Sequence, residues 1–289
     1  MKKIHKYLLV LVPIFIFEVY LAWHIEPDLS AIGEPMEKWT TIAGYRLPLN
    51  GVNKATVTMT WIIMATLVGA SWLITRRLEY IPGKRQSSLE LFVSAWESIC
   101  VQSLGQKGRK FVPFIGSVFI FVLTANWIGI LPSVWKIHAG IERFFHIPEW
   151  FQIEEPTRDL NTTLGLGIIC FVTAQLCGMR YKGAINYFRE LAQPFIFMLP
   201  INVVGEFGKL ISHSFRLFGN IMGGAVIIIV GTGILFEFIR PTVIGMICAP
   251  GIVIPLGMNI FFGLFIGLVQ AFVFAMLAIT YIAVLIAEE

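Results

Sequence analysis

Two apolar runs, residues 201–239 and 242–286, are separated only by Arg240-Pro241. Segments this apolar leave water. In hydrocarbon every backbone N–H and C=O must be paired within the protein, so only a helix or a closed barrel is available. No run alternates with period two, which excludes a barrel. As a helix, residues 201–239 would extend about 60 Å, against a hydrocarbon core of about 30 Å. A helix of that length must tilt strongly, break or lie near the membrane plane. The second run meets the same problem, with Pro250 and Pro255 as natural bend points. The two runs are expected to form a steeply inclined helical hairpin.

The rest of the chain agrees. It has 289 residues, 56% hydrophobic and 14% charged, where soluble domains carry roughly 25% charged residues. The class is an all-α polytopic membrane protein. The net charge of +4 is no nucleic-acid signal, because the basic residues cluster at the ends of apolar runs as topology determinants do. The four cysteines, Cys100, Cys170, Cys177 and Cys248, form no CxxC and read as reduced packing residues. No phosphate loop, metal-ligand spacing or Gly-x-Ser-x-Gly appears, so no cofactor, metal site or enzyme activity is expected of the chain by itself.

Three regions follow from the pattern. Residues 1–55 comprise a basic start (Lys2, Lys3, Lys6), an uncleaved apolar helix over 7–24 and an external loop. Residues 56–182 hold spans at about 56–75, 112–131 and 161–179. They also hold an amphipathic helix at about 88–104, whose face of Leu89, Phe92, Val93, Trp96, Ile99, Cys100 and Leu104 suits the cytoplasmic surface. Asp159 or Asn161 can cap the span that follows. Residues 184–289 are the hairpin. Arg76-Arg77, Lys84-Arg85 and Arg180-Tyr-Lys182 mark cytoplasmic ends by the positive-inside rule, and the C-terminus falls on the cytoplasmic side.

Inside the first long run the polar residues are not scattered. Asn202, Glu206, Lys209, His213, Arg216 and Asn220 are spaced four, three, four, three and four apart, so they share a helix face. Ionisable residues at membrane depth mark functional sites by default. Arg216 is the sharpest, because a guanidinium stays protonated. No acidic residue lies within seven positions of it, and residues 242–287 contain none. Its partner must come from a more distant helix or from another protein. Glu206 and Lys209, at i and i+3, suit a structural salt bridge, though Glu206 also suits an aqueous channel. His213 suits titration near neutrality and hydrogen bonding equally. On the second run Asn259, Gly263, Gly267 and Gln270 share a face. Gly219 with Gly223, and Gly263 with Gly267, are G-x-x-x-G pairs that would let the two backbones approach closely.

These residues carry a resemblance. Phe215-Arg216-Leu217-Phe218-Gly219-Asn220 looks like the signature of subunit a of F-type ATP synthases, and Gly267-Leu-Val-Gln270-Ala-Phe-Val-Phe274 resembles that family's last-helix motif. Further matches follow in family order from about residue 87. They include Gly108-Arg-Lys110 with Pro113-Phe114, Asn126 through Gly129-Ile130-Leu131-Pro132, and Pro156-Thr157 with Asp159, Asn161 and Thr163-Leu164.

The resemblance implies a non-catalytic, ion-translocating stator subunit in a bacterial plasma membrane. Its arginine, matched by Arg216, would face an oligomeric c-ring of small hairpin subunits, each with one carboxylate, reached from opposite sides by two aqueous half-channels. Asn220 and Gln270 match the family's polar residues beside the arginine, with Glu206, His213 and Asn259 as further channel candidates. Peripheral-stalk b subunits, the rest of the ATP synthase and lipid are the other implied partners. The chain also departs from the family. Ala225 and Gly263 stand where many members carry an acidic–histidine pair, Lys209-Leu210 where Lys-Pro is common, and His213 where leucine is usual. The missing pair leaves H+ and Na+ both open as the coupling ion. A stand-alone secondary transporter or channel is the alternative, but it should show internal repeats with paired broken helices, and none is seen.

Overall fold

The computed structural model describes residues 54–76, 78–80, 83–128, 155–193, 195–239, 257–258 and 260–286. The expectations for residues 1–53, the loop after residue 128, Arg240-Pro241, Cys248, Pro250, Pro255 and the last three residues lie outside these. The helices are α1 (Lys54–Thr75), α2 (Lys84–Leu104), α3 (Val112–Trp127), α4 (Leu160–Lys182), α5 (Ala184–Leu191), α6 (Leu199–Ile239) and α7 (Gly267–Ile286). Short 3-10 turns occupy Gly105–Phe111, Pro156–Arg158 and Ile196–Met198, and a π-helical segment, Ile260–Ile266, runs directly into α7. Among the described residues there is no strand. Among the described residues four stretches are long and apolar enough to cross a membrane, α1, α2 through α3, α4, and the π segment with α7, and α5 with the start of α6 makes a fifth if that bent pair counts as one span. The protein is an all-α polytopic membrane protein.

The core forms where α3, α4 and α7 meet. Ile115 and Val122 of α3, Cys170 and Ala174 of α4, and Ala271, Phe274, Ala275, Ala278, Ile279 and Ile282 of α7 are all buried there. The alanines of α7 let its neighbours come close, which is how helices gain contact where lipid supplies no hydrophobic drive. A helix, α2, covers the stretch expected to be amphipathic, and protein receives part of its apolar face. The Trp96 ring lies tilted against Phe119 and Phe272, with centroids 4.8 Å and 6.1 Å away, and Cys100 is fully buried. Val93, expected on that face, points outward. Cys100, Cys170 and Cys177 are free thiols.

The turns have local causes. Gly105 and Gly183 take φ of +64° and +83°, a region that L side chains rarely enter, and each ends a helix. Lys182 Nζ pairs with Glu190 at 2.9 Å, closing the α4–α5 corner around Gly183. Asp159 caps α4 by accepting from the Asn161 amide at 2.9 Å.

The long run is one continuous helix, α6, of 41 residues. The π segment and α7 run antiparallel beside it. In order along α6, His213 meets Phe274, Asn220 meets Gln270, Gly224 lies against Phe262 and Gly231 against Met258. The expected hairpin pairing is therefore present, but α7 packs chiefly on α3 and α4, and α6 chiefly on α4. Helices α4 and α6 approach closely at Gly167. A Cβ there would overlap Ser214 Oγ and sit 3.2 Å from Leu210 Cδ1, while Ser214 is held by its own bond to the Leu210 carbonyl at 3.1 Å. Gly167→Ala is expected to destabilise the fold by about 1–3 kcal/mol. Gly165→Ala, with nothing within 4 Å of the added methyl, should be neutral or mildly stabilising. Thermal unfolding of the purified protein in detergent compares the two.

Candidate functional site

The polar stripe of α6 splits into parts with different surroundings. At its start, Asn202 donates to the Leu191 carbonyl at 2.9 Å and ties α6 to the end of α5. Next comes a polar cluster shared by three helices. Lys209 Nζ meets Glu206 Oε1 at 2.5 Å, which is the expected i, i+3 salt bridge. Gln175 of α4 donates to Glu206 Oε2 at 3.1 Å, and Tyr187 of α5 donates its hydroxyl to Gln175 Oε1. Glu206 thus has partners on two helices. It is ten residues from Arg216, about 15 Å along the axis.

His213 does not share the surroundings of Arg216. It is 2% exposed, wedged between α6 and α7. Its ring meets Phe274 edge-on at 3.8 Å and lies 5.5 Å from Tyr281. Its Nε2 is buried without a hydrogen-bond partner.

Arg216 lies on the exposed face of α6 with Ser212, Phe215, Gly219 and Asn220. Among the described residues the ion pairs are Arg109–Glu97, Lys182–Glu190 and Lys209–Glu206, and none involves Arg216. One turn on, Asn220 Nδ2 donates to Gln270 Oε1 at 2.7 Å, so a polar bridge between α6 and α7 sits one helical turn from Arg216. Gln270 is buried at 4% exposure.

The glycines depart from the expectation of paired close packing. A Cβ at Gly219 or Gly223 would meet no atom within 4 Å, so these two lie on an open surface and do not receive the facing helix. Gly267 is packed closely, but against α3, where an added Cβ would sit 3.1 Å from Asn126 Cβ. Gly224, not Gly223, is the α6 glycine under the π segment, with its Cβ position 3.0 Å from Phe262. Gly263 is half-buried within the π segment. Asn259 lies outside the described residues.

Several polar residues were not weighed from sequence as site residues. Asn126 is 3% exposed and Thr157 fully buried. Thr157 donates to Asn126 Oδ1 at 2.8 Å, and Asn126 Nδ2 donates to the Gly267 carbonyl at 2.9 Å. Trp127 Nε1 reaches the Leu264 carbonyl at 3.2 Å. Asn126 had a legible signal, as the one amide in the otherwise apolar α3. Gln175 and Tyr187 offered none beyond being polar.

Comparison with known proteins adds a consistent finding. The family model described as "ATP synthase A chain" matches residues 57–283. A protein of Moorella thermoacetica named "ATP synthase subunit a" is 32% identical over 229 residues, covering 79% of this chain and 89% of the relative. A Chlorobaculum parvum protein named "ATP synthase subunit a 1" is 34% identical over 230 residues, covering 79% and 86%. One from Crocosphaera subtropica with the same name is 32% identical over 231 residues, covering 79% and 85%.

The Asn220–Gln270 bridge should register as coupling. In a double-mutant cycle of Asn220→Ala and Gln270→Ala, read by thermal unfolding in detergent, the interaction energy is expected at about 0.5–1.5 kcal/mol. Strict additivity would remove the bridge from the folded protein.

Proposed function

The chain belongs to the ATP synthase A chain family, and from that premise we propose that Arg216 is the fixed charge past which ion-carrying carboxylates of a rotor ring must move. The observation that carries this reading is the exposure of Arg216 on the outer face of α6, with no ion pair among the described residues. A permanent charge at membrane depth calls for a counter-charge. In this reading the counter-charge is the ring carboxylate. The open surface around Gly219 and Gly223 suits a close-fitting, moving partner, because no side chain there would catch on it.

The mechanism follows from elementary electrostatics. A positive charge within about 4–6 Å lowers a carboxylate's pKa by about 1–3 units. A ring carboxylate that reaches Arg216 therefore releases its ion and passes as the anion. Free cations are repelled at the same point. Ions enter by one aqueous half-channel and leave by the other only after nearly a full turn of the ring. Each elementary charge crossing contributes about 2.3 kcal/mol per 100 mV, which rotation delivers to the catalytic head. The subunit is itself non-catalytic. Asn220 and Gln270 line the approach to Arg216. Glu206, with Gln175 and Tyr187, lines the half-channel on the side where the basic ends Arg180 and Lys182 lie, the cytoplasmic side of a bacterial inner membrane. Asn259 belongs to the opposite half-channel. Peripheral-stalk b subunits hold the chain against rotation, and lipid covers the remaining apolar surface. H+ and Na+ both suit the residues present.

In the assembled synthase, Arg216→Ala is expected to abolish ion-driven ATP synthesis and to open a passive leak, read by ATP yield and by dissipation of an imposed gradient in proteoliposomes. Wild-type synthesis from that variant would end the reading. The coupling ion is decided by the pH profile of ATP hydrolysis between micromolar and millimolar Na+. A Na+ ring gives a profile that shifts with Na+, and a proton ring gives one that does not.

A further inference from the structure

The π segment Ile260–Ile266 ends at Gly267, three residues before Gln270. A π turn closes its hydrogen bonds i to i+5, is rare, and occurs mostly as single turns at functional sites. The place where it gives way to α register is a matter of phase. If the junction slips by one residue, a side chain crossing it swings by about 100° around the axis, the angle one residue subtends in an α-helix. Downstream, the phase of α7 is held by the burial of Ala271, Phe274, Ala275 and Ala278. Upstream, the run Ile-Phe-Phe-Gly-Leu-Phe-Ile is apolar in either register, and its packing on α6 is through Phe262 against Gly224, on the far side of the segment from the junction. Whether Gln270 stays in α phase depends on what holds the junction on its N-terminal side.

Two side chains at the end of α3 are bonded there. Asn126 Nδ2 takes the carbonyl of Gly267, the first residue of α7, at 2.9 Å. Trp127 Nε1 takes the carbonyl of Leu264, inside the π segment, at 3.2 Å. A carbonyl only accepts, so the Asn126 amide must present its nitrogen to Gly267. Its oxygen is then the acceptor for Thr157 Oγ1 at 2.8 Å, which fixes the amide from behind. Gly267 has no Cβ, and this permits the approach, since a methyl there would sit 3.1 Å from Asn126 Cβ. One turn further along α7, Gln270 accepts from Asn220, itself one turn from Arg216.

We propose that Asn126 and Trp127 are positioning residues. They clamp the π-to-α junction so that Gln270 stands where Asn220 can bond it beside Arg216. Neither residue touches the translocated ion in this proposal; both act through Gln270. The functional consequence rests on the reading of Arg216 as the stator charge, whereas the clamp itself is a statement about backbone register.

The test uses the assembled synthase carrying Asn126→Ala, Trp127→Phe, Thr157→Val or Thr157→Ser. Trp127→Phe keeps the ring and removes only the donor. Thr157→Ser keeps the hydroxyl that Thr157→Val removes. Amide hydrogen exchange over residues 260–271 is expected to rise about tenfold in Asn126→Ala and about threefold in Trp127→Phe and Thr157→Val, since an opening free energy that falls by RT ln of that factor accompanies a lost hydrogen bond. Thr157→Ser should exchange as wild type. Exchange in α4 and in the first turns of α6 should not change, which separates a slipped junction from general destabilisation. Ion-driven synthesis should fall in the same order while ATP hydrolysis by the detached head stays intact. Unchanged exchange at 260–271, or a rise spread equally over α4 and α6, overturns the clamp. Faster local exchange with full synthesis overturns its role in positioning. An Arg216→Ala synthase that still makes ATP counts against the stator reading and leaves the exchange result standing.

Discussion

A guanidinium keeps its charge at any pH a cell meets, so Arg216 imposes that charge on whatever covers the outer face of α6. Even the mildest scale sets a central arginine at about 2.5–3.5 kcal/mol against insertion. The neighbouring ionisable groups are compensated inside the chain. Glu206 has Lys209 and Gln175, and Lys182 has Glu190. His213 is enclosed by Phe274 and Tyr281. Arg216 alone in the stripe both carries a fixed charge and faces outward with no ion pair among the described residues. The packing of α6 turns His213, Ser214, Leu217 and Phe218 inward, and leaves Arg216 on the outer face where another protein can meet it.

Polar satisfaction and close packing are the same device at two points in this fold. Gly167 admits Ser214, whose hydroxyl returns to the backbone of its own helix. Gly267 admits Asn126, whose amide bonds the carbonyl of the glycine itself. In hydrocarbon an unmade bond to a buried amide or carbonyl costs several kcal/mol, and an interhelical bond forms only where backbones come near. The small residue and the polar residue therefore occur together, on facing helices and far apart in sequence.

This separation explains what the sequence disclosed. The helices were legible from length and hydropathy, because a membrane leaves the backbone little choice. The Lys209–Glu206 pair was legible because both partners lie on one helix, three residues apart. The surroundings of His213 were not. It is three positions from Arg216 and about 60° away around the helix, and only the placement of α7 decides that one is enclosed and the other exposed. The G-x-x-x-G pairs were visible as spacings, but the spacing does not name the partner. Gly219 and Gly223 face no backbone, while Gly267 faces α3. The bond from Asn126 to Gly267 spans 141 positions, beyond the reach of any local pattern, and a run of Ile, Phe, Leu and Gly suits an α turn as well as a π turn.

The geometry beside Arg216 is therefore set largely by third parties. The two helices that carry the site touch lightly, and each is anchored elsewhere: α6 to α4 through Gly167, Ser214 and the Gln175–Glu206 bond, α7 to α3 and α4 through its alanine face and the Gly267 carbonyl. The Asn220–Gln270 bond closes the remaining gap between two independently anchored helices. A bond in that position cannot pull either helix into place. It forms only if both have already been placed to within the tolerance of a hydrogen bond, a few tenths of an ångström around 2.9 Å. In the proposed reading of Arg216, function should therefore be sensitive to packing at Gly167 and at the end of α3, away from the outer face that carries the charge. The exposed positions of α1, such as Trp61, Val68 and Leu73, should tolerate substitution far better.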